Sequence, residues 1–445
     1  MTLTRIVNAR LVNEGQITEG DLLIENGRIT RVGGTIDHPA PTVDAQGCYL
    51  LPGLIVDQVH FREPGLTHKA DLQSESRAAA AGGITSYFEM PNTSPATTTR
   101  DRWEAKMARA AEVSAVNYAF FMGATPDNLA ELLALDGTRS PGVKLFMGSS
   151  TGDLLVDDPQ ALETIFREVP HLIATHCEHE PTVRANLAAA RDRFGEQVPV
   201  AEHPRIRSAD ACLLSTQTAL DLARRHGSRL HVLHLSTAAE AQLFEAGADV
   251  RAKRITCEAC VHHLWFTEAD YAQRGSAIKW NPAVKSEADR AALRQALLDD
   301  RIDVLATDHA PHTRDEKSQT YFQCPSGAPM VQHALSVLYT GCRQGWIDLP
   351  TVVRKYAHAP SDLFRVVERG YLREGYWADL VLFDPDIQFS VTPDSLLYKC
   401  GWSPLEGDEL WGRVRTTWVN GEVVYADGQP TGRRAAQALR FAPEQ

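Results

Sequence analysis

At 445 residues the chain has room for two or three domains. Apolar residues make up 43% and charged residues 23%, which suits a soluble globular protein and excludes a disordered, collagenous or coiled-coil chain. Lys and Arg total 45 against 57 Asp and Glu, and the resulting net charge of −12 argues against nonspecific binding of nucleic acid or anionic lipid.

Residues 1–15 lack the apolar run and small-residue cleavage site of a secretory leader. Residues 49–56 are the most apolar stretch, but they are too few to span a bilayer and contain Pro52 and Gly53. The expectation is a cytoplasmic protein without membrane association, its eight cysteines reduced. Cys257-x-x-Cys260 has no second pair at zinc-ribbon spacing and is not a metal motif by itself.

In chain order, the first elements are strands. Asp21-Leu22-Leu23-Ile24 and Arg28-Ile29-Thr30-Arg31-Val32 flank Asn26-Gly27, a hairpin signal because both turn residues must accept positive φ. Eight short apolar runs follow, at 54–60, 84–90, 116–122, 142–147, 172–176, 230–235, 255–260 and 302–307. Helical patterns alternate with them, at 70–81, 102–111, 210–225 and 286–298, the last opening with the capping box Ser286-x-x-Asp289. Strands alternating with helices predict parallel pairing, and eight such units fit a (β/α)8 barrel. A doubly wound open sheet is the rival arrangement. After the barrel, residues 378–383 and the pair Thr417-Trp418-Val419 and Glu422-Val423-Val424-Tyr425 around Asn420-Gly421 are again strands. The fold expected is α/β: a barrel over 55–371 and a small β-sandwich domain built jointly from 1–54 and 372–445.

The unusual residues fall at the ends of the runs. They are Gln58 and His60 at the end of the first and Arg62 just beyond it, Asn92 after the second, Lys144 in the fourth and His176 at the end of the fifth. His234 lies in the sixth, and Asp308 and His312 follow the eighth. In a barrel these ends share one rim, where active sites are built. Gln58 and His60 are two apart and can face inward together, whereas His231 and His234 are three apart, so His234, nearer the rim, is the one expected in the pocket. Converging imidazoles and a carboxylate are zinc ligands, and bound water there would act as nucleophile near neutral pH. Asp308 would be the general base or acid. Lys144 among cations is consistent either with a carbamate, an anionic oxygen ligand, or with an amine paired to a rim acid. His262-His263 have no assigned role, and the loop at 313–329 is either a closing lid or a long connection.

At these residues the chain resembles dihydroorotases of the amidohydrolase superfamily over nearly its whole length. The resemblance rests on Val56-Asp57-Gln58-Val59-His60-Phe61-Arg62-Glu63-Pro64-Gly65, Glu89-Met90-Pro91-Asn92-Thr93, Ala306-Thr307-Asp308-His309-Ala310-Pro311-His312 and Lys399-Cys400-Gly401-Trp402-Ser403-Pro404-Leu405-Glu406-Gly407. It implies reversible cyclisation of N-carbamoyl-L-aspartate to L-dihydroorotate in pyrimidine synthesis. It implies His60, carbamylated Lys144, His176, His234 and Asp308 as metal ligands, Asp308 as proton shuttle, and Arg62, Asn92 and His312 as the grip on the substrate carboxylate. One departure stands out: the family's first strand carries His-x-His, and here the first position is Gln58, as in a subgroup of dihydroorotases. An amide oxygen is a weak neutral donor, so one firmly held zinc and a second weak or absent one are expected. Allantoinase and dihydropyrimidinase activities share this metal site, but their rings carry no matching carboxylate for Arg62. A non-catalytic scaffold for aspartate carbamoyltransferase is the reading from another class, resting on Gln58 alone. Relatives suggest a homodimer.

Overall fold

The computed structural model describes residues 3–149, 154–247 and 249–443. The N-terminal strands are β1 (Leu3–Asn13), β2 (Gln16–Glu25), β3 (Arg28–Val32), β4 (Thr42–Asp44) and β5 (Tyr49–Pro52). The central strands are β6 (Leu54–Val59), β7 (Ile84–Glu89), β8 (Asn117–Phe120), β9 (Met122–Gly123), β10 (Val143–Phe146), β11 (Ile173–His176), β12 (Leu230–Val232), β13 (Ile255–Cys260) and β14 (Val304–Ala306). The C-terminal ones are β15 (Leu380–Ser390), β16 (Glu409–Val419), β17 (Glu422–Ala426) and β18 (Gln429–Pro430).

The two chain ends make one sheet, ordered β18-β17-β16-β15-β5-β1-β2-β3 with β4 beside β1. Its seam is the antiparallel pair β5–β15. Both Asn-Gly turns adopt the expected left-handed backbone, with φ of 51° and 83° at Asn26-Gly27 and 51° and 80° at Asn420-Gly421. The two turns also touch. A Cβ on Gly27 would lie 2.7 Å from the carbonyl oxygen of Asn420, and one on Gly421 would lie 2.7 Å from the Cα of Gly27. Glycine is therefore required at each tip by a close approach as well as by backbone angle.

The central strands form a (β/α)8 barrel. They run as β6-β7-β8 and β9-β10-β11-β12-β13-β14, all parallel. The run at 116–122 is one strand interrupted at Phe121, whose ring turns into a cluster with Phe88 and Phe364. The ring closes between β14 and β6: the N–H of His60 donates to the carbonyl of His309 (2.7 Å), and Thr307 Oγ1 donates to the carbonyl of Gln58 (3.2 Å). Closure removes the edge strands that an open doubly wound sheet would leave unpaired. β6, β7, β8, β10 and β11 are buried throughout, as expected of strands covered on both faces.

The helices start where side-chain caps allow. Asp71 caps the helix Leu72–Ala81, two residues later than the apolar pattern begins, and Ser286 with Asp289 forms the foreseen capping box on Glu287–Leu298. Beyond β18 the chain leaves the sheet and returns to the barrel, where the N–H of Leu439 donates to the carbonyl of Tyr118 (2.9 Å). The segment 313–329 is a fixed wall of the mouth. The Nζ of buried Lys317 donates to the carbonyls of Pro325 and Gly327 (both 2.9 Å), and that of Lys279 donates to the carbonyl of Tyr321 (2.9 Å). Two lysines spent on main-chain carbonyls pin the loop from beneath, which favours the long-connection reading over a lid. Among the described residues no helix is long and apolar enough to cross a membrane.

Candidate active site

The polar strand ends open into one narrow cavity. Gln58, His60, Arg62, Asn92, Lys144, His176, His234 and Asp308 line it, together with Trp280 and Gly327. His312 stands just behind, its Nε2 3.0 Å from a guanidinium nitrogen of Arg62. Strand alternation decides what is excluded. Cys177 turns back to Thr175, and His309 turns out to Glu75 (2.8 Å). His231 does face the barrel interior, but a layer deeper than the mouth, where its Nε2 lies 3.3 Å from Asp57 and 3.4 Å from Glu258.

Two pairs of donors face each other across the mouth. On one side His60 Nδ1 lies 2.7 Å from the amide oxygen of Asn92, so it donates, and Nε2 is left with its lone pair 3.0 Å from Asp308 Oδ1. Burial keeps the His60 ring below the usual imidazole pKa, although Asp308 opposes this. A lone pair and a carboxylate at that distance repel unless a cation lies between them. On the other side His176 Nε2 donates to Glu178 (3.0 Å), leaving Nδ1 to face His234 Nε2 at 3.0 Å. Two nitrogens bound to one zinc at about 2.0–2.1 Å and a tetrahedral angle would be about 3.3 Å apart. Burial pushes both rings below the ordinary range, His234 well below, so both are neutral donors. Glu178 is anchored in turn by Arg207. Burial pushes its carboxyl up, but Arg207 and His176 outweigh that and hold it at about 2.

Lys144 completes the set. Its side chain is 1% exposed, its Nζ has no hydrogen-bond partner among the described residues, and it sits 4.4 Å from the ring centre of Phe146. Desolvation pulls its pKa down to about 7, with Glu258 and Asp308 opposing. An unpaired buried amine that is largely neutral at physiological pH has the reactivity that carbamate formation needs. Pairing to a rim acid, the alternative for this lysine, has no counterpart among the described residues. The orphaned amine, the converging imidazole lone pairs and the nearby carboxylate fit a divalent metal. Gln58 fits it least, because the thiol of Cys260 approaches its amide oxygen at 3.6 Å.

Arg62 is the fixed cation of the mouth. It is 1% exposed, its Nε donates to the carbonyl of Pro311 (3.0 Å), and burial lowers its pKa only to about 10, so it stays charged. Lys69 donates to His312 Nδ1 (3.0 Å), which leaves the Nε2 proton for the carbonyl of Ser326 (3.0 Å). Burial and the neighbouring Arg62 keep that ring neutral. Arg62, His234 and Asp308 all have positive φ, at 68°, 41° and 42°. Side-chain-bearing residues hold such angles only where surrounding contacts enforce them, and such strain concentrates at functional sites. Asn92 orients His60 here, a contact that the sequence pattern had not suggested beside its expected carboxylate role. Glu178, Glu258, Lys69 and Trp280 also escaped the sequence reading. Glu178 had a signal, lying two residues past His176 and so on the same face, while the others needed the closed barrel.

Residues 49–424 match the family described as the Amidohydrolase family. The chain belongs to that family. A dihydroorotase of Halobacterium salinarum is 33% identical over 410 residues, 91% of this chain and 92% of its own length. An allantoinase of Streptomyces avermitilis is 34% identical over 394 residues, 86% of each. The solved L-hydantoinase (dihydropyrimidinase) of Arthrobacter aurescens superposes with a TM-score of 0.92 at 28% identity, over 99% of this chain and all of that one. The chain is thus an amidohydrolase whose relatives are cyclic amidohydrolases named for different substrates.

Proposed function

We propose that the chain is a dihydroorotase, interconverting N-carbamoyl-L-aspartate and L-dihydroorotate. The observation that carries this reading is Arg62: a buried, still-charged guanidinium fixed at the mouth beside His60 and Asp308. Among the described residues no carboxylate forms an ion pair with Arg62, so an anionic substrate matches this buried cation, and a guanidinium fork fits a carboxylate. Allantoin and hydantoin rings offer no such group at this place.

His60, Lys144 as carbamate, His176, His234 and Asp308 would hold zinc, with Gln58 as a weak additional donor. When bound, the metal supplies Lewis acidity, polarising a carbonyl and lowering the pKa of water. The chain's own residues do the rest. Arg62, with Asn92 and His312 around it, pins the ring by its carboxylate. Asp308 takes a proton from the attacking water at Oδ1 or Oδ2 and returns it to the departing ring nitrogen; cyclisation runs the same transfers in reverse. The wall at 313–329 and Trp280 keep bulk water from the reacting centre.

The test is turnover of L-dihydroorotate, allantoin and hydantoin by the purified zinc-loaded protein. Preference for dihydroorotate by kcat/KM supports the proposal. Preference for allantoin, the substrate of the activity named for the 34% identical relative, overturns it, and no turnover of any of the three points to the scaffold reading.

A further inference from the structure

We propose that Glu258 is a positioning residue: its buried carboxyl group clamps the turn that carries His234 and so aims that imidazole at the metal. The inference rests on reading His234 as a metal ligand. Of the imidazoles at the mouth, His60 is oriented through its second nitrogen by Asn92 and His176 by Glu178. Such a bond to the far ring nitrogen is the usual way a ligating histidine is held. His234 has none: its Nδ1 is buried and without a hydrogen-bond partner among the described residues. Its aim must therefore come from the backbone, and that backbone is strained, with φ at 41°.

Glu258 grips this turn twice. Its carbonyl accepts the N–H of Leu235 (2.9 Å), and its Oε1 accepts the N–H of His234 (3.0 Å). Its other oxygen faces His231 Nε2 at 3.4 Å, and the same nitrogen is 3.3 Å from Asp57, directly before Gln58 in the sequence. Thr256 fixes the His231 ring: its hydroxyl donates to the carbonyl of Leu230 (3.3 Å) and accepts from Nδ1 (2.8 Å). Asp57, His231 and Glu258 are all 0% exposed, so water cannot replace a lost acceptor. The cluster ties β6, β12 and β13 together one layer beneath the mouth.

Zinc retention against a chelator, read by elemental analysis alongside kcat and KM for dihydroorotate, tests the proposal in the full-length protein. Glu258→Ala should release zinc about 10–100-fold more readily than wild type, the usual penalty for losing such a support, with kcat reduced and KM little changed. Glu258→Gln keeps an oxygen acceptor for the His234 N–H and should restore retention to within a few-fold. A Gln variant as impaired as Ala would overturn the hydrogen-bond role, and so would an Ala variant that keeps wild-type retention. If Glu258→Ala does not fold, His231→Asn must weaken retention in the same direction, and an unchanged value there overturns the proposal. His234→Ala separates the two layers of inference. Should it hold zinc as wild type does, His234 is no ligand and both readings fall; should it lose zinc while Glu258→Ala keeps it, only the clamp falls.

Discussion

Removing the ammonium of Lys106 should destabilise the barrel at the end of β6, in the segment that carries His60 and Arg62. Lys106 and Glu89 form an ion pair of 2.7 Å with side chains 1% and 0% exposed, and Glu89 Oε1 also accepts the N–H of Phe61 (2.9 Å). At an effective dielectric constant of about 20, two unit charges at that separation attract by about 6 kcal/mol, against which both desolvation penalties act. The exposures place the pair among buried bridges, where deleting one partner costs about 3–5 kcal/mol, and not among surface pairs worth about 0–1 kcal/mol. Lys106→Met should therefore lower unfolding free energy in urea by about 3–5 kcal/mol. The double variant Glu89→Gln/Lys106→Met should recover most of it, because no buried charge is stranded. Burial already raises the Glu89 carboxyl above its usual pKa, and loss of Lys106 would raise it further. A raised carboxyl penalises the folded state only where it is ionised, so the deficit of Lys106→Met should be full at neutral pH and shrink on acidification. A single variant within about 1 kcal/mol of wild type, or a double variant no better than the single, would refute the reasoning.

Arg62→Gln should cut kcat/KM for dihydroorotate by about 10–150-fold, from the loss of a charge-assisted contact worth about 1.5–3 kcal/mol, while hydrolysis of uncharged hydantoin falls far less; equal losses would show that Arg62 is only structural. Lys144 is largely an ammonium below about 7 and an amine above it, so protein stripped of carbon dioxide should regain activity with bicarbonate faster at pH 8 than at pH 6, monitored as turnover with time. Gln58→His should raise the zinc bound per chain, measured by elemental analysis, since a histidine nitrogen is a stronger donor than the amide oxygen facing Cys260. Lys317→Met leaves buried carbonyls of Pro325 and Gly327 without a donor, and each such group costs about 1–3 kcal/mol. Limited proteolysis should then cut within 313–329 faster than in wild type.

The sequence alone determined the class of fold and the chain segments whose polar ends meet at the mouth, but not all of its lining, which includes Trp280 and Gly327. Apolar runs spaced by helical patterns, paired Asn-Gly turns at both ends and polar residues clustered at run ends are local signals, written by backbone sterics and by the two-residue alternation of strands. That alternation was enough to turn Cys177 and His309 away, while position near the end of its run, and not alternation, singled out His234 over His231, which also faces inward a layer deeper. Whether the eight strands close, and what each side chain then meets, depends on contacts between residues hundreds of positions apart. Only the tertiary structure joined His60 to the carbonyl of His309, set Asn92 against His60 and pinned 313–329 with buried lysines. It also left Lys144 dry and, among the described residues, without a hydrogen-bond partner, and put the Asp57–His231–Glu258 cluster beneath the mouth. Burial is the physical reason. Water's exclusion is what makes Lys144 shed its proton, keeps the imidazoles neutral and makes each remaining hydrogen bond decisive, and no stretch of sequence states which of its residues will be dry.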